Sequence, residues 1–247
     1  MTPLMYLLLL FSSFIGMILF TRWARVWGST REDQRKELPG DAHLISASNP
    51  VVRMTRAINI HAEPTVVWHW MAQMGRGAGW YSYDLIDNGA TSSARHVVSW
   101  IPDPQPGDTS AIGRLTTVLP KQSLVWWADS VSIPFGEFRC VFDLLLLPQD
   151  SHSRLIIRIS ADATGPFAWP ILHTFSFLDS IMARKQLLSF KYCAERYGDR
   201  RQNPSSPESG AKDQYQLAAC IYASGETAGK WGHSLARKWA KNRRDDA

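Results

Sequence analysis

Charged side chains are missing from the first 21 residues of this 247-residue chain, and cysteine is scarce throughout. The three cysteines, Cys140, Cys193 and Cys220, stand far apart with no CxxC pair. That argues against a disulfide framework and against a thiolate zinc site, and it suits a reducing compartment. Neither HExxH nor any similar metal-ligand spacing is present: His69, His96 and His173 are scattered singly. No metal and no cofactor are therefore expected. There is no GxSxG elbow, no cysteine–histidine nucleophile pattern and no glycine loop leading to a phosphate-gripping lysine. Serine acyl transfer and nucleotide hydrolysis lose their sequence grounds with these motifs. The net charge of +5 is mild and partly sits at the two ends, which speaks against a nucleic-acid partner.

What the chain has in excess is tryptophan, 11 copies. Tryptophan combines a large apolar ring with one N–H that wants a partner, so it lines cavities and membrane interfaces as well as ordinary cores. The segment from Leu4 to Phe20 is almost purely apolar. With Thr2, Pro3 and Thr21 it reaches the length needed to cross a hydrocarbon layer of about 30 Å. A secretory signal would want a basic start and a small-residue cleavage site, and neither is present. Directly after the run come Arg22, Trp23, Arg25 and Trp27, cations interleaved with tryptophan. Residues 1–21 therefore read as a single-pass anchor. The positive charge that follows the span places the main domain in the cytoplasm. An uncleaved or atypically cleaved export signal is the competing reading, and it would reverse the compartment.

Residues 22–52 are polar and read as a linker. From Thr55, Ile58 and Ile60 share a strand face, and Pro64 fits the first turn of a helix. Val67, Trp70, Met71 and Met74 then fall at helical spacing as an inward stripe. Gly75, Gly77 and Gly79 end that helix, and a short second one is expected around 81–86. Beyond Arg95 the period changes to two. Strands are expected over 97–101, 112–119, 123–128, 136–147 and 154–163, separated by proline- and glycine-rich turns. In the last of these, Leu155, Ile157, Ile159 and Ala161 read as the buried face, with Arg154, Arg158 and Asp162 on a wet one. A long helix follows to about Tyr197, with Leu178, Ile181, Leu188 and Tyr192 as its apolar stripe and Gly198 as its cap. A sheet with one long amphipathic helix arriving last suggests that the sheet wraps the helix.

Residues 199–214 are a linker by composition. In the tail, 215–247, Trp231, Leu235 and Trp239 recur every four residues among Lys230, Arg237, Lys238 and Lys241. It reads either as a basic amphipathic helix on an anionic membrane or as a disordered basic tail.

Five stretches together resemble the SRPBCC superfamily: WGST…LPGD over 27–41, TRAINIHAEPTVVWHWMAQMG over 55–75, GAGWYSYD over 77–84, the turn PGD over 106–108, and a closing helix ending KYCAER. Within it they are most similar to the membrane-anchored bacterial proteins of the START-like, polyketide cyclase/dehydrase and lipid-transport type. The similarity spans roughly residues 27–198 and rests on the order and spacing of all five. It implies an α+β helix-grip fold, with a curved antiparallel sheet gripping a long C-terminal helix over an elongated apolar cavity in a domain of residues 53–198. At one point the chain departs from the pattern, carrying the cation Arg76 where the family loop commonly has a glutamine.

The candidate site follows from that cavity. Trp80, Tyr81 and Tyr83 offer amphipathic rings after a flexible glycine cluster, and Asp84 offers an acceptor. With Trp70, Met74, Ile181 and Leu188 they form the expected ligand-binding set. The same loop also reads as plain joinery between packed elements, with Asp84 as a helix cap. Asp143 interrupts an apolar strand. Facing the cavity it would be a desolvated acid–base group, but its alternation with Arg139 and Val141 favours the wet face. His69 is expected at the surface. The function read from the sequence is a membrane-anchored binding protein for a small lipid-like or isoprenoid-like molecule. The alternatives are a cyclase or dehydratase using Asp84, Tyr83 or Asp143, and a tethered interaction protein whose cavity is vestigial.

Overall fold

A computed structural model describes residues 3–44, 51–150 and 152–197. The linker and basic tail expected beyond residue 198 lie outside the described residues. Helix α1 (Pro3–Ala24) carries the apolar run, and its side chains from Met5 to Ser13 and from Ile15 to Phe20 are exposed. It is the one described helix long and apolar enough to cross a membrane.

Six strands form one antiparallel sheet: β1 (Val51–Ile60), β2 (Thr109–Ser110), β3 (Gly113–Leu119), β4 (Ser123–Ile133), β5 (Gly136–Gln149) and β6 (His152–Ala163), in the order β1-β6-β5-β4-β3-β2. The register between β5 and β6 runs unbroken from Phe138↔Ala163 to Gln149↔His152. It shifts between Leu115 and Thr117 in β3 and between Ala128 and Val131 in β4. Such irregularities bend a sheet and sharpen its twist, so β3 to β5 curl. Helix α3 (Pro64–Gln73) and the long α5 (Ala168–Tyr197) cover the inner face, with α5 over β1 and β6 and α3 over β5 and β6. A final α4 (Asp84–Asp87) is one turn long. This is the helix-grip architecture. The core of Met54, Ile60, Val67, Trp70, Met71, Leu115, Leu144, Ile157 and Phe190 lies between the inner face and the helices.

Residues 97–101, expected as a strand, form no strand. Val97 and Val98 are buried in a loop, where the Val98 N–H donates to Gln73 Oε1 at 2.9 Å. Their alternation serves loop packing rather than a ladder.

The larger correction concerns the segment expected as a linker. Helix α2 (Arg31–Arg35) opens on a Thr30–Asp33 capping box, and a 3₁₀ turn follows at Pro39–Leu44. Both pack on the outer face of the sheet, so β6 is not wet on one side: Arg158 and Asp162 are as buried as Ile157. Arg158 spends all five of its N–H donors there, on Thr55 Oγ1, Asp41 Oδ2 and the carbonyls of Asp33, Gln34 and Lys36. Arg154 pairs with Asp33, and Arg139 with Asp162. Gly40 lies flush on the strands, and a Cβ there would stand 2.6 Å from Val141 Cγ1.

The end of α1 is fastened just as firmly. Arg56, fully buried on the inner face of β1, donates from Nε to the carbonyl of Ala24 at 2.6 Å. Its Nη1 meets Asp179 of α5 at 2.7 Å. Arg25 donates to Ser176 Oγ at 2.7 Å, and the Ala57 N–H to the Trp27 carbonyl at 3.2 Å.

Candidate functional site

The aromatic loop after α3 is organised by Gln73, which is buried. Its amide donates to the Tyr81 hydroxyl and to the His96 carbonyl at 3.1 Å, while its oxygen takes the Val98 N–H. The Tyr81 ring lies against Trp70 and Phe190, with centroids 6.0 and 5.4 Å away. The Trp80 carbonyl accepts from Gln186 of α5 at 2.7 Å. Asp84 holds both the N–H and the hydroxyl of Ser93 at 3.1 and 2.6 Å. Arg76, the departure from the family pattern, ties the loop to the PGD turn through Asp108 at 2.8 Å and the Pro102 carbonyl. The structure thus places Trp70, Met74, Trp80 and Tyr81 in the core and Asp84 in a loop clamp, while Tyr83 faces outward. Beside this loop Ser82, Asp84, Arg95, Lys185 and Tyr192 border a small cleft of about 170 Å³.

Two further expectations change. Ile181, Leu178 and Tyr192 point to solvent, and Leu188 is half-buried. The inward face of α5 is instead Leu172, Ser176, Ser180, Ala183, Leu187, Phe190 and Ala194. Asp143, expected on a wet face, is 1 % exposed beneath the Pro39–Leu44 turn. It accepts the Gly40 N–H at 2.6 Å and the Ser123 hydroxyl at 3.3 Å. Desolvation pushes its carboxyl up to about 6, against the pull of the Gly40 and Ser123 bonds and of Arg158. It lies on the far side of the sheet from α5 and cannot reach a ligand on the inner face. His69 is half-buried rather than exposed. Among the described residues no group of three or more histidine, cysteine or acidic side chains could hold a metal.

The interior has a closed end and an open one. Trp70, Met71, Met74, Leu144 and Phe190 fill the space beneath the aromatic loop and are fully buried. Towards the β4–β5 turn and the start of α5, the inner-face side chains Ile112, Ile133, Phe138, Phe142 and Phe175 are only half-buried. These inward-facing aromatics still meet solvent, which makes this the less closed end of the interior, its mouth. Phe138 and Phe175 meet edge to face across it, 5.0 Å apart. Next to Phe142 in the ladder stands Trp126, 1 % exposed. Its indole N–H finds no acceptor among the described residues. Nothing in the local sequence of β4 signalled this donor, since its isolation depends on what β3, β5 and the helices bring to it.

Just outside the mouth, α1 and the first turns of α5 enclose a groove of about 530 Å³, lined by Met17, Ile18, Arg22, Trp169, His173 and Phe177 among others. Its volume is that of a small-molecule site. Its walls are apolar except for Arg22, Arg25, His173 and two threonines.

No protein-family model and no curated protein matches the chain. Solved structures with similar folds include the Mll3558 protein from Rhizobium loti, 16% identical over 56% of this chain and 99% of that one, with a TM-score of 0.32. Ara h 8.0201 is 12% identical over 58% of this chain and 98% of its own, with a TM-score of 0.38. An AHSA1-like protein from Rhizobium etli is 15% identical over 65% and 92%, with a TM-score of 0.34. Similarity at this level identifies neither a ligand nor a reaction.

Proposed function

We propose that this chain is a membrane-anchored binding protein that holds a small hydrophobic, lipid-like or isoprenoid-like molecule at the open end of its helix-grip interior, with the domain on the cytoplasmic side. The observation that carries this reading is the unpaired N–H of Trp126 beside the half-buried Phe142. A buried donor without an acceptor costs about 1–3 kcal/mol. A guest with an apolar body and one carbonyl, ether or hydroxyl oxygen would satisfy both the donor and the ring faces around it. The charge order supports the orientation, because Arg22 and Arg25 follow the apolar span. A catalytic reading has less behind it: Asp84 is occupied by Ser93, and Asp143 lies behind the sheet.

The test is made on the full chain in phosphatidylcholine nanodiscs, extracted with organic solvent and analysed by mass spectrometry. A retained compound other than the disc lipid is expected. It should fall about tenfold, the equivalent of one lost hydrogen bond of ~1.4 kcal/mol, in Trp126→Phe. In Ala128→Phe, which fills the mouth beside Cys140, it should vanish. Extracts that hold disc lipid only, alike in wild type and Ala128→Phe, would remove the reading.

A further inference from the structure

The apolar mouth lies at the same end of the domain as α1, and the exposed apolar side chains there are hard to explain by folding. Phe135 is 80 % exposed at the tip of the β4–β5 hairpin. It also takes φ 61°, in the left-handed region where glycine would be at ease and a bulky side chain is strained. Stability favours neither the residue nor its position. Phe135 packs on Phe167, 6.0 Å away, and two residues on stands Trp169, 64 % exposed and stacked on His173.

This tip is not a loose loop. The Thr164 N–H donates to the Glu137 carbonyl and the Glu137 N–H to Thr164 Oγ1, both at 2.9 Å. Gly165, at φ 88°, lets the β6–α5 corner close on the turn, where a Cβ would meet the Phe135 carbonyl at 2.1 Å. The hairpin tip and the start of α5 therefore form one rigid apolar knob.

Its level relative to α1 is fixed. Trp169 shares the groove with Met17 and Ile18, within the uncharged run of α1. At about 1.5 Å per residue, Met17 lies roughly 7 Å deeper than Arg22 along that helix. Arg56, Arg25 and the carbonyls of Ala24 and Trp27 join the end of α1 to the sheet and to α5, so the domain cannot swing away from this level on a tether. Glu137, exposed one pair behind the turn, limits entry to the tip itself.

We propose that the domain docks on the bilayer that α1 enters, with Phe135, Phe167 and Trp169 lodged at the boundary between headgroups and acyl chains, so that the open end of the interior faces lipid. The inference rests on the reading of α1 as an anchor. It gives that reading a consequence: a hydrophobic guest passes between membrane and mouth without crossing water. The same depth places Arg22 and Arg25 among lipid phosphates.

The test uses full-length protein in nanodiscs of mixed phosphatidylcholine and phosphatidylglycerol, with benzoylphenylalanine replacing one residue at a time: Phe135, Trp169, Leu10 or Leu85. Leu85, 81 % exposed, sits on α4. The adjoining Ser82 bonds Met182 of α5, about 21 Å along that helix from its start. After irradiation, intact-mass analysis should find lipid adducts at 135, 169 and 10, and severalfold fewer at 85. Adducts at 10 with no excess at 135 and 169 over 85 would overturn the docking and leave the anchor standing. Adducts at 135 and 169 but none at 10 would keep the docking as a peripheral contact and overturn the anchor. Absence at all three would overturn both.

Discussion

Protonation of Asp143 should stabilise this fold, the reverse of the usual behaviour of a carboxylate on acidification. The group is buried at the outer face of the sheet, and burial raises its folded pKa from 3.8 to about 6. Between those two values the native state holds a proton that the unfolded state has released. Stability linked to Asp143 is therefore complete below about pH 4 and is lost as the pH rises through 6. The difference corresponds to about 3 kcal/mol if the whole displacement is realised, and less if the Pro39–Leu44 turn relaxes to admit water. Some other carboxyls, Asp33 and Glu195, pull the opposite way. For Asp33, burial pushes upward but Arg154 and Thr30 prevail and hold it below its ordinary value, so its contribution fades on acidification. The informative quantity is consequently the difference between wild type and Asp143→Asn, which keeps an oxygen for the Gly40 N–H but does not titrate. Guanidinium unfolding of the full chain in mild detergent, repeated from pH 4 to 8, should show wild type losing about 2–3 kcal/mol relative to the variant, mostly between pH 4 and 6. Parallel profiles would refute the argument, as would a difference of opposite sign.

Three further outcomes follow from the same geometry. Arg56→Met should cost about 3–5 kcal/mol by leaving Asp179 buried without its partner, and adding Asp179→Leu should recover much of that, both read by denaturant unfolding. Gln73→Ala removes the bonds to Tyr81, His96 and Val98; a loss of about 2–4 kcal/mol and a weakened near-ultraviolet signal from Trp70 and Trp80 are expected, whereas an unchanged spectrum would show that the loop holds itself. Trp126→Phe should leave the stability of the unliganded chain within about 1.5 kcal/mol, because the lost ring volume is offset by removal of an unpaired donor, and a loss beyond 3 kcal/mol in the same unfolding experiment would show that the indole has a structural partner.

The order of the elements could be read from the sequence because period and turn chemistry are local. The α3 stripe of Val67, Trp70, Met71 and Met74 is buried as its spacing demands. What could not be read are the surfaces that depend on distant partners. The inward face of α5 steps by four and three through Leu172, Ser176, Ser180, Ala183, Leu187, Phe190 and Ala194, a regular helical stripe made largely of small and hydroxylated residues. Ranking residues by apolarity selects Leu178, Ile181 and Tyr192 instead, which lie outside. Ser176 and Ser180 face inward because Arg25 and Arg56 arrive there, a fact written more than a hundred residues away. Arg154, Arg158 and Asp162 read as a wet strand face for the same reason: the partners of the two arginines are in residues 31–41, whose composition is that of a linker.

That polar segment bears on the proposed docking, because it decides which way the domain faces relative to α1. A flexible tether would let the domain turn any face to the bilayer, and exposed apolar residues at one end would then say little about orientation. Here the carbonyls of Ala24 and Trp27 and the Asp33 and Asp41 carboxylates are all bound to strands of the domain. Each bond is modest alone. Together they include two buried arginines that cannot shed their charge, so displacing the segment would strip Arg56 of the Ala24 carbonyl and Arg158 of four of its five acceptors. The direction in which α1 leaves the domain is thus as fixed as the core. Whatever α1 enters is met by the end that carries Phe135, Trp169 and the half-buried Phe138 and Phe175. The aromatic loop, at the closed end, is turned away from it.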